Sequence, residues 1–322
     1  MKKTTLFAAL FAVSGFALAQ AYPSKVINVI VPFAAGGPTD VVARSLADVM
    51  GKNIGQTMIV ENKAGAGGTV GTGVVAKANP DGHTLLLMHI GFTTAPLLYR
   101  KALSYDAAKD FEPIGLVVDV PMTVIANNTV PAKNFKDFQS YLTANRQKIN
   151  LAHAGVGSAS HLCGMLLMSA LKTDVQTIPY NGTGPAMTAL RGNQVDFMCD
   201  QSTNTTGQIT SKAVQAYAVT SAKRMPTLST VPTLDEEGLK GFQLGIWHGL
   251  WAPKGTPKPV VDKLVAALQK SLNDEAFKNR MNQLGAVVYG KEDATPKGLN
   301  NTVLSNLARW SPIIAKSGAY AD

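Results

Sequence analysis

Two glycine-rich loops hold the residues whose types and spacing are best suited to chemistry. The first is Phe33-Ala34-Ala35-Gly36-Gly37-Pro38-Thr39-Asp40, and the second is Gly155-Val156-Gly157-Ser158-Ala159-Ser160-His161. Each loop joins a short apolar run to a stretch whose apolar residues recur at helical spacing. Glycine has no Cβ, so its N–H can approach a ligand closely and positive φ is open to it. Pro38 suits a first helical turn, where its missing N–H is no loss. Ser158 or Ser160 can cap the following helix by accepting a bond from a first-turn N–H. A helix start carries unpaired N–H donors and partial positive charge, which together make an anion site. Two such cradles facing each other across a cleft suit a small acid. The seven arginines all lie outside both loops. The charge would then be met by backbone N–H groups around Ala35, Gly36, Gly37, Gly157 and Ser158, by the Ser158 and Ser160 hydroxyls, and by water. Gly37 and Gly157 are expected to exploit positive φ. Thr39 and Asp40 shape the first loop, with Asp40 accepting backbone bonds.

Other chemistries are written less well. Ser158 or Ser160, His161 and Asp200 could be assembled into nucleophile, base and orienter of a secreted serine hydrolase. The chain has no Gly-x-Ser-x-Gly elbow, however. Adjacent Ser160 and His161 on a helix also point about 100° apart. Gly65 and Gly67 suggest a dinucleotide loop, but Val70 stands where the third glycine should be. The five histidines are scattered, and the two cysteines lie 36 positions apart, so no metal spacing and no cofactor is indicated.

The elements that position these loops alternate. A strand at 29–33 leads into a helix ending at Gly51. Thr57–Glu61 and His83–Met88 are further strands, and the loop after the second puts His89 and Thr93 at the same strand ends as the first cradle. Residues 111–117 and 121–126 read as two strands. Short strands follow at 150–154, 175–180, 195–200 and 215–220, with helices after the second cradle and at 186–191. Tyr180, Asn181 and Asp200 lie at strand ends of this later set and complete the candidate ligand-binding residues. The stretch 241–253 is β-like, and amphipathic helices at 257–272, 275–284 and 299–314 close the chain. Strand–helix alternation gives an α/β class with largely parallel sheets. Two sets of units give two lobes, and the terminal helices return to the first. Phe33, Phe92, His89, Trp247 and His248 could line a pocket for a ring-bearing acid or serve as core and hinge packing.

The chain has 322 residues and a net charge of +9. Lys2 and Lys3, the apolar run Leu6–Leu18 and Ala17-Leu18-Ala19 make a cleavable secretory signal, with Ala19-Gln20-Ala21 a second fit. Cleavage after Ala19 leaves 303 residues and lowers the charge by two. The remaining excess is spread thinly, which is compatible with acidic ligands and does not indicate nucleic acid. Cys163 and Cys199 in an exported chain can form a disulfide or remain two buried thiols.

The chain resembles the periplasmic substrate-binding receptors of tripartite tricarboxylate transporters, the Bug receptors. The resemblance is carried by Tyr22-Pro23-Ser24-Lys25, residues 31–40 and 61–68, Pro80-Asp81-Gly82-His83, Asp110-Phe111-Glu112-Pro113, residues 157–162, Pro179-Tyr180-Asn181-Gly182, and Trp251-Ala252-Pro253-Lys254-Gly255-Thr256-Pro257. It covers nearly all of the mature chain. It implies a two-lobe class II periplasmic binding-protein fold of the Venus-flytrap kind, each lobe a mostly parallel sheet flanked by helices. The expected division is 20–123 plus 248–322 for lobe 1 and 124–247 for lobe 2, with the ligand cleft between them. It further implies a non-enzymatic, monomeric receptor in the periplasm. Such a receptor captures a small carboxylate, aliphatic or aromatic, partly through ordered waters, and delivers it to membrane permease subunits. The family often has Tyr at position 83 and Lys or Arg at position 181, where this chain has His83 and Asn181.

Overall fold

The computed structural model describes residues 22–99 and 103–318. The export segment read at residues 1–19 lies outside the described residues. In chain order the first elements are β1 (Ile27–Val31), α1 (Pro38–Ile54), β2 (Met58–Asn62), α2 (Thr69–Ala76), β3 (Thr84–His89), α3 (Gly91–Leu98) and β4 (Phe111–Ala126). Next come α4 (Phe135–Asn145), β5 (Asn150–His153), α5 (Ala159–Leu171), β6 (Gln176–Pro179), α6 (Thr183–Arg191), β7 (Phe197–Gln201), α7 (Ser202–Thr210) and β8 (Gln215–Val219). The chain then forms β9 (Gly245–Pro253), α8 (Lys258–Leu272), α9 (Glu275–Gln283), β10 (Val287–Val288) and α10 (Pro296–Ser317).

The strands lie in the order β2-β1-β3-β9-β4-β7-β5-β6, with β8 and β10 also paired to β4. The outer strands are parallel: β2, β1 and β3 in one half, β6, β5 and β7 in the other. Between them β4 and β9 run antiparallel. The apolar β-branched runs read from the sequence become buried strands, such as Ile27, Val29, Ile30 and Val31 in β1.

β4 joins the halves. Residues Phe111 to Pro121 pair with β9, and Met122 to Ala126 pair with β7 and β8. The sequence suggests two strands here, and the structure has one. Pro121 lacks an N–H but sits where β4 changes partners, so no ladder bond is lost. The chain returns to the first half at Gly245. Thr220 fastens the two crossings together: its hydroxyl donates to Leu244 O at 2.6 Å and accepts from Met122 N at 2.8 Å.

The C-terminal helices pack on the first half, as their apolar stripes require. Val261, Leu264, Leu268 and Leu272 of α8 are buried, as are Leu299, Trp310 and Ile314 of α10. α7 has no counterpart in the sequence reading. Its buried side chains are Ser202, Thr203, Thr205 and Thr206, so a search for apolar periodicity is silent there. Cys163 of α5 and Cys199 of β7 are joined in a disulfide with Cα atoms 6.0 Å apart. Among the described residues no helix is long and apolar enough to cross a membrane.

Candidate functional site

Four strand-to-helix turns meet at one buried cavity: β1–α1, β5–α5, β6–α6 and β7–α7. The walls stand close, leaving about 10 Å3 open to the centre of a water-sized sphere, room for about one water. Phe33, Gly37, Pro38, Thr39 and His89 line it from the first half, and Ser158, Ala159, Ser160, Thr183, Asp200 and Gln201 from the second. Three of the four helices have no side-chain cap: α1 begins at Gly37, α6 at Gly182 and α7 at Gln201. Their first-turn N–H groups are therefore left to whatever enters. The sequence showed two cradles, and the fold adds two.

The first loop is held from outside the cavity. Asp40 accepts two bonds from Arg44 at 2.9 Å, one from Asn62 Nδ2 at 3.0 Å and one from Gly36 N at 3.1 Å. Burial opposes its ionisation, but these bonds outweigh it and hold the carboxyl below the usual range. Asp40 is thus a buttress and does not line the cavity. Thr39 does line it, and its hydroxyl lies 3.3 Å from His248 Nε2. His248 Nδ1 faces Ile246 O at 3.2 Å, so Nδ1 carries the proton and Nε2 accepts from Thr39. Gly36 takes positive φ, whereas Gly37 has φ −87°, so the expectation of positive φ at Gly37 is corrected.

The second loop satisfies much of itself. His153 Nδ1 accepts from Gly155 N at 3.1 Å, and His161 Nδ1 accepts from Gly157 N at 3.3 Å. The N–H of Gly157 is therefore not free for an anion, contrary to the sequence reading. The free donors are the first-turn N–H groups of α5 at Ala159 and Ser160. Ser158 caps α5 through His161 N at 3.3 Å, and Ser160 Oγ accepts from Ala154 N at 2.9 Å. Burial, then the neighbouring His153, lowers His161 to a pKa of about 4. No serine bonds to His161's ring and Asp200 is not its partner, so the hydrolase arrangement is not formed.

His89 stacks on Phe33 with centroids 4.9 Å apart, and its Nδ1 accepts from Gly91 N at 3.0 Å. Burial, with His248 beside it, pushes its pKa well below the usual value, so the ring is neutral with its proton on Nε2. Asp200 is 1% exposed. Its Oδ2 accepts from Asn204 at 2.6 Å, and burial raises its pKa to about 6 against hydrogen bonds from Asn204, the Gln201 backbone and the Thr183 side chain.

Several expected residues stand elsewhere. Ala34, Ala35 and Gly36 form the outer side of their loop, with Ala35 and Gly36 exposed. Thr93 faces a separate groove beside Phe92 and Pro96, while its neighbour Thr94 donates to Gly157 O at 3.2 Å. Tyr180 is half-buried and Asn181 exposed; the Asn181 carbonyl accepts from Ala34 N at 2.9 Å. Phe92 stacks on Trp251 at 4.3 Å, and Trp247 lies 6.1 Å from Trp251, so of the five aromatic candidates only Phe33 and His89 reach the cavity. Thr183 and Gln201 went unread. Gly182-Thr183-Gly184-Pro185 repeats the glycine–proline signature of the first cradle and could have revealed Thr183.

The two halves touch through glycines. A Cβ on Gly67 would lie 1.9 Å from Val156 O, one on Gly182 2.9 Å from Ala34 N, and one on Gly184 2.7 Å from Ala35 O. The glycine-rich turn at 65–68, which fails the dinucleotide pattern, thus closes against the second loop. Tyr99 also donates to Val156 O at 3.0 Å.

Two α/β halves joined by β4, with helix N-termini of both around one cavity, define a two-lobed solute-binding protein. The sequence profile of the tripartite tricarboxylate transporter family receptors matches residues 42–319. The chain belongs to this family of periplasmic substrate-binding receptors, which are not enzymes. It is 57% identical to the periplasmic binding protein BugD, covering 94% of this chain and all of that one, with a TM-score of 0.91. MatC from Rhodopseudomonas palustris, solved with bound malate, is 41% identical over 91% of this chain and all of its own, with a TM-score of 0.87. A curated protein of Agrobacterium vitis, from the TAR-I ttuE-ttuC' intergenic region, is 45% identical, covering 93% of this chain and 86% of its own.

Proposed function

We propose that this chain is exported to the periplasm, captures a small aliphatic carboxylate between its lobes, and hands it as a monomer to the membrane subunits of a tripartite transporter. The observation that carries the reading is the meeting of four helix N-termini, three of them uncapped, at one buried cavity. Among the described residues no Lys or Arg lines that cavity, so N–H dipoles and hydroxyls are what the site offers an anion. The walls stand close, with about 10 Å3 open to the centre of a water-sized sphere, so a ligand enters only as the lobes part, and a small one asks for the least parting. Malate in the MatC relative supports the same class. The change of partners along β4 between Pro121 and Met122, and the start of β9 at Gly245, support a lobe division near 123/124 and 247/248.

A thermal-shift panel of aliphatic and aromatic mono- and dicarboxylates on the mature chain tests this reading. A binder at a hundredfold its Kd adds about 2.7 kcal/mol of apparent stability. Stabilisation by short aliphatic acids is expected. No shift with any carboxylate, or a shift with aromatic acids alone, would overturn it. Transport is tested by uptake into vesicles carrying the permease, with and without the receptor.

A further inference from the structure

A wider space lies between α5 of the second half and the end of α10, which packs on the first half. It measures about 760 Å3, within the ~300–1,000 Å3 usual for small-molecule sites. It shares no lining residue with the cavity at the cradles. Its floor is apolar: Leu151 and Met168 are buried, and Met165, Leu166 and Ile313 are half-buried. Met165 and Met168 stand one turn apart on α5, and the flexible thioether of methionine adapts to an irregular apolar guest.

The rim is cationic. Arg146, Lys172 and Lys316 line the groove against a single acid, Asp174. Among the described residues the charged groups of these three make no ion pair and no hydrogen bond. Lys172 ends α5 in the left-handed conformation, with φ 50°, at a position where glycine is usual. Two less exposed polar groups face the same space. His161 is 9% exposed and its Nδ1 accepts from Gly157 N, so its proton is on Nε2, across the ring, where no partner meets it. The Thr173 hydroxyl oxygen is buried and also lacks a partner. A solvated basic face accounts for the three exposed cations but not for these two groups, because buried polar groups are normally paired.

We infer that this groove is a second ligand site and that it takes a carboxylate on an apolar chain. The head accepts from His161 Nε2, Thr173 and the cations, and the chain lies on the methionines and Ile313. Head and chain are both required by the walls. A small free anion would leave the apolar floor in water, and a neutral chain would leave the charged rim unanswered. Since α5 and α10 belong to opposite halves, the occupant touches both.

Calorimetry on the mature chain at pH 7.5 tests the site with octanoate. Acetate supplies the head alone, octanol the chain alone, and octyltrimethylammonium the opposite charge. One octanoate per chain is expected, bound at least tenfold tighter than any of the three. Replacing both lysines, Lys172→Gln with Lys316→Gln, should weaken octanoate at least tenfold. Both side chains are exposed and neither lines the cradle cavity, so the variant is expected to fold, which circular dichroism checks. Met165→Glu places a like charge on the floor and should abolish octanoate binding. Absence of octanoate binding, equal binding of octanol or octyltrimethylammonium, or full octanoate affinity in these variants overturns the site. Sedimentation of the free chain as a dimer that Lys316→Gln dissociates would give the groove to a second copy and overturn it as well.

Discussion

Gly37 and Gly184 face each other across the seam, and they should respond differently to one added methyl group. A Cβ on Gly37 would make ordinary contacts, the nearest 3.5 Å from Gly184 N, and its φ suits any residue. A Cβ on Gly184 would stand 2.7 Å from the backbone oxygen of Ala35. Gly184→Ala is therefore expected to raise Kd at least tenfold. The free protein should be as stable as before or more so, since alanine is the better helix former. Unchanged affinity by calorimetry would count against closure at this seam. Gly157, with φ +79° and Leu98 Cδ1 at 3.0 Å, tolerates no branched side chain, as the sequence suggests. Buried groups of both kinds set the pH response. Burial raises both Asp119 and Asp200 to about 6. Each binds its proton more tightly folded than unfolded, so its penalty is absent below about pH 4 and complete above about pH 6, reaching about 3 kcal/mol at most. His89, His153, His161 and His248 pull the other way: burial lowers each, so each resists protonation when folded and costs stability as pH falls below about 6.5. Four histidines outweigh two carboxyls, so the unliganded melting temperature should fall as pH drops from 7.5 to 5. Asp119→Asn and Asp200→Asn should each raise the melting temperature at pH 7.5 and lose that advantage toward pH 4; variants no more stable than the parent at pH 7.5 would refute the assignment. Asp40 acts in the opposite sense: its depressed pKa gives stability that is lost below about pH 4.

The disulfide ties two of the four helices that build the site. Cys163 lies in the first turns of α5, and Cys199 precedes Asp200 on β7, which leads into α7. Closing a loop across 36 positions should stabilise the protein by about 3–4 kcal/mol on the chain-entropy model. Replacing both cysteines with alanine should lower the denaturation midpoint accordingly. It should also weaken ligand binding, because α5 and α7 lose their shared anchor. Lower stability with full affinity would show that the tether serves the fold alone. The elements that were legible in the sequence are those with apolar periodicity, such as β1, α5 and α8. α7 was not legible, because its buried face is threonine and serine held by partners such as Thr123, whose hydroxyl donates to Thr205 Oγ1 at 2.9 Å. The two cradles were legible because glycine and proline punctuate them. The consumption of the Gly155 and Gly157 N–H groups by His153 and His161 was not, since it depends on how the side chains fold back.

At the scale of the whole molecule, the proposed closure would turn about two crossings, Pro121/Met122 and Leu244/Gly245, bound together by Thr220. Small-angle scattering should report a larger radius of gyration for the free protein than for the saturated one. Thr220→Val removes the fastening and should change the free ensemble more than the bound one; identical scattering for both proteins in both states would argue that the hinge lies elsewhere. Three bonds across the seam have no part in the cavity: Ala34 N to Asn181 O, the Tyr99 hydroxyl to Val156 O, and the Thr94 hydroxyl to Gly157 O. The shut form thus coheres in part without cargo, and cargo only tips a balance that already leans. Under the proposed function a receptor so built would carry background: some empty molecules would wear the outline of loaded ones, compete for the same membrane subunits, and set a floor under the signal that loading can send. The same cohesion throttles uptake at high solute: capture would level off at the rate of spontaneous opening instead of climbing with concentration.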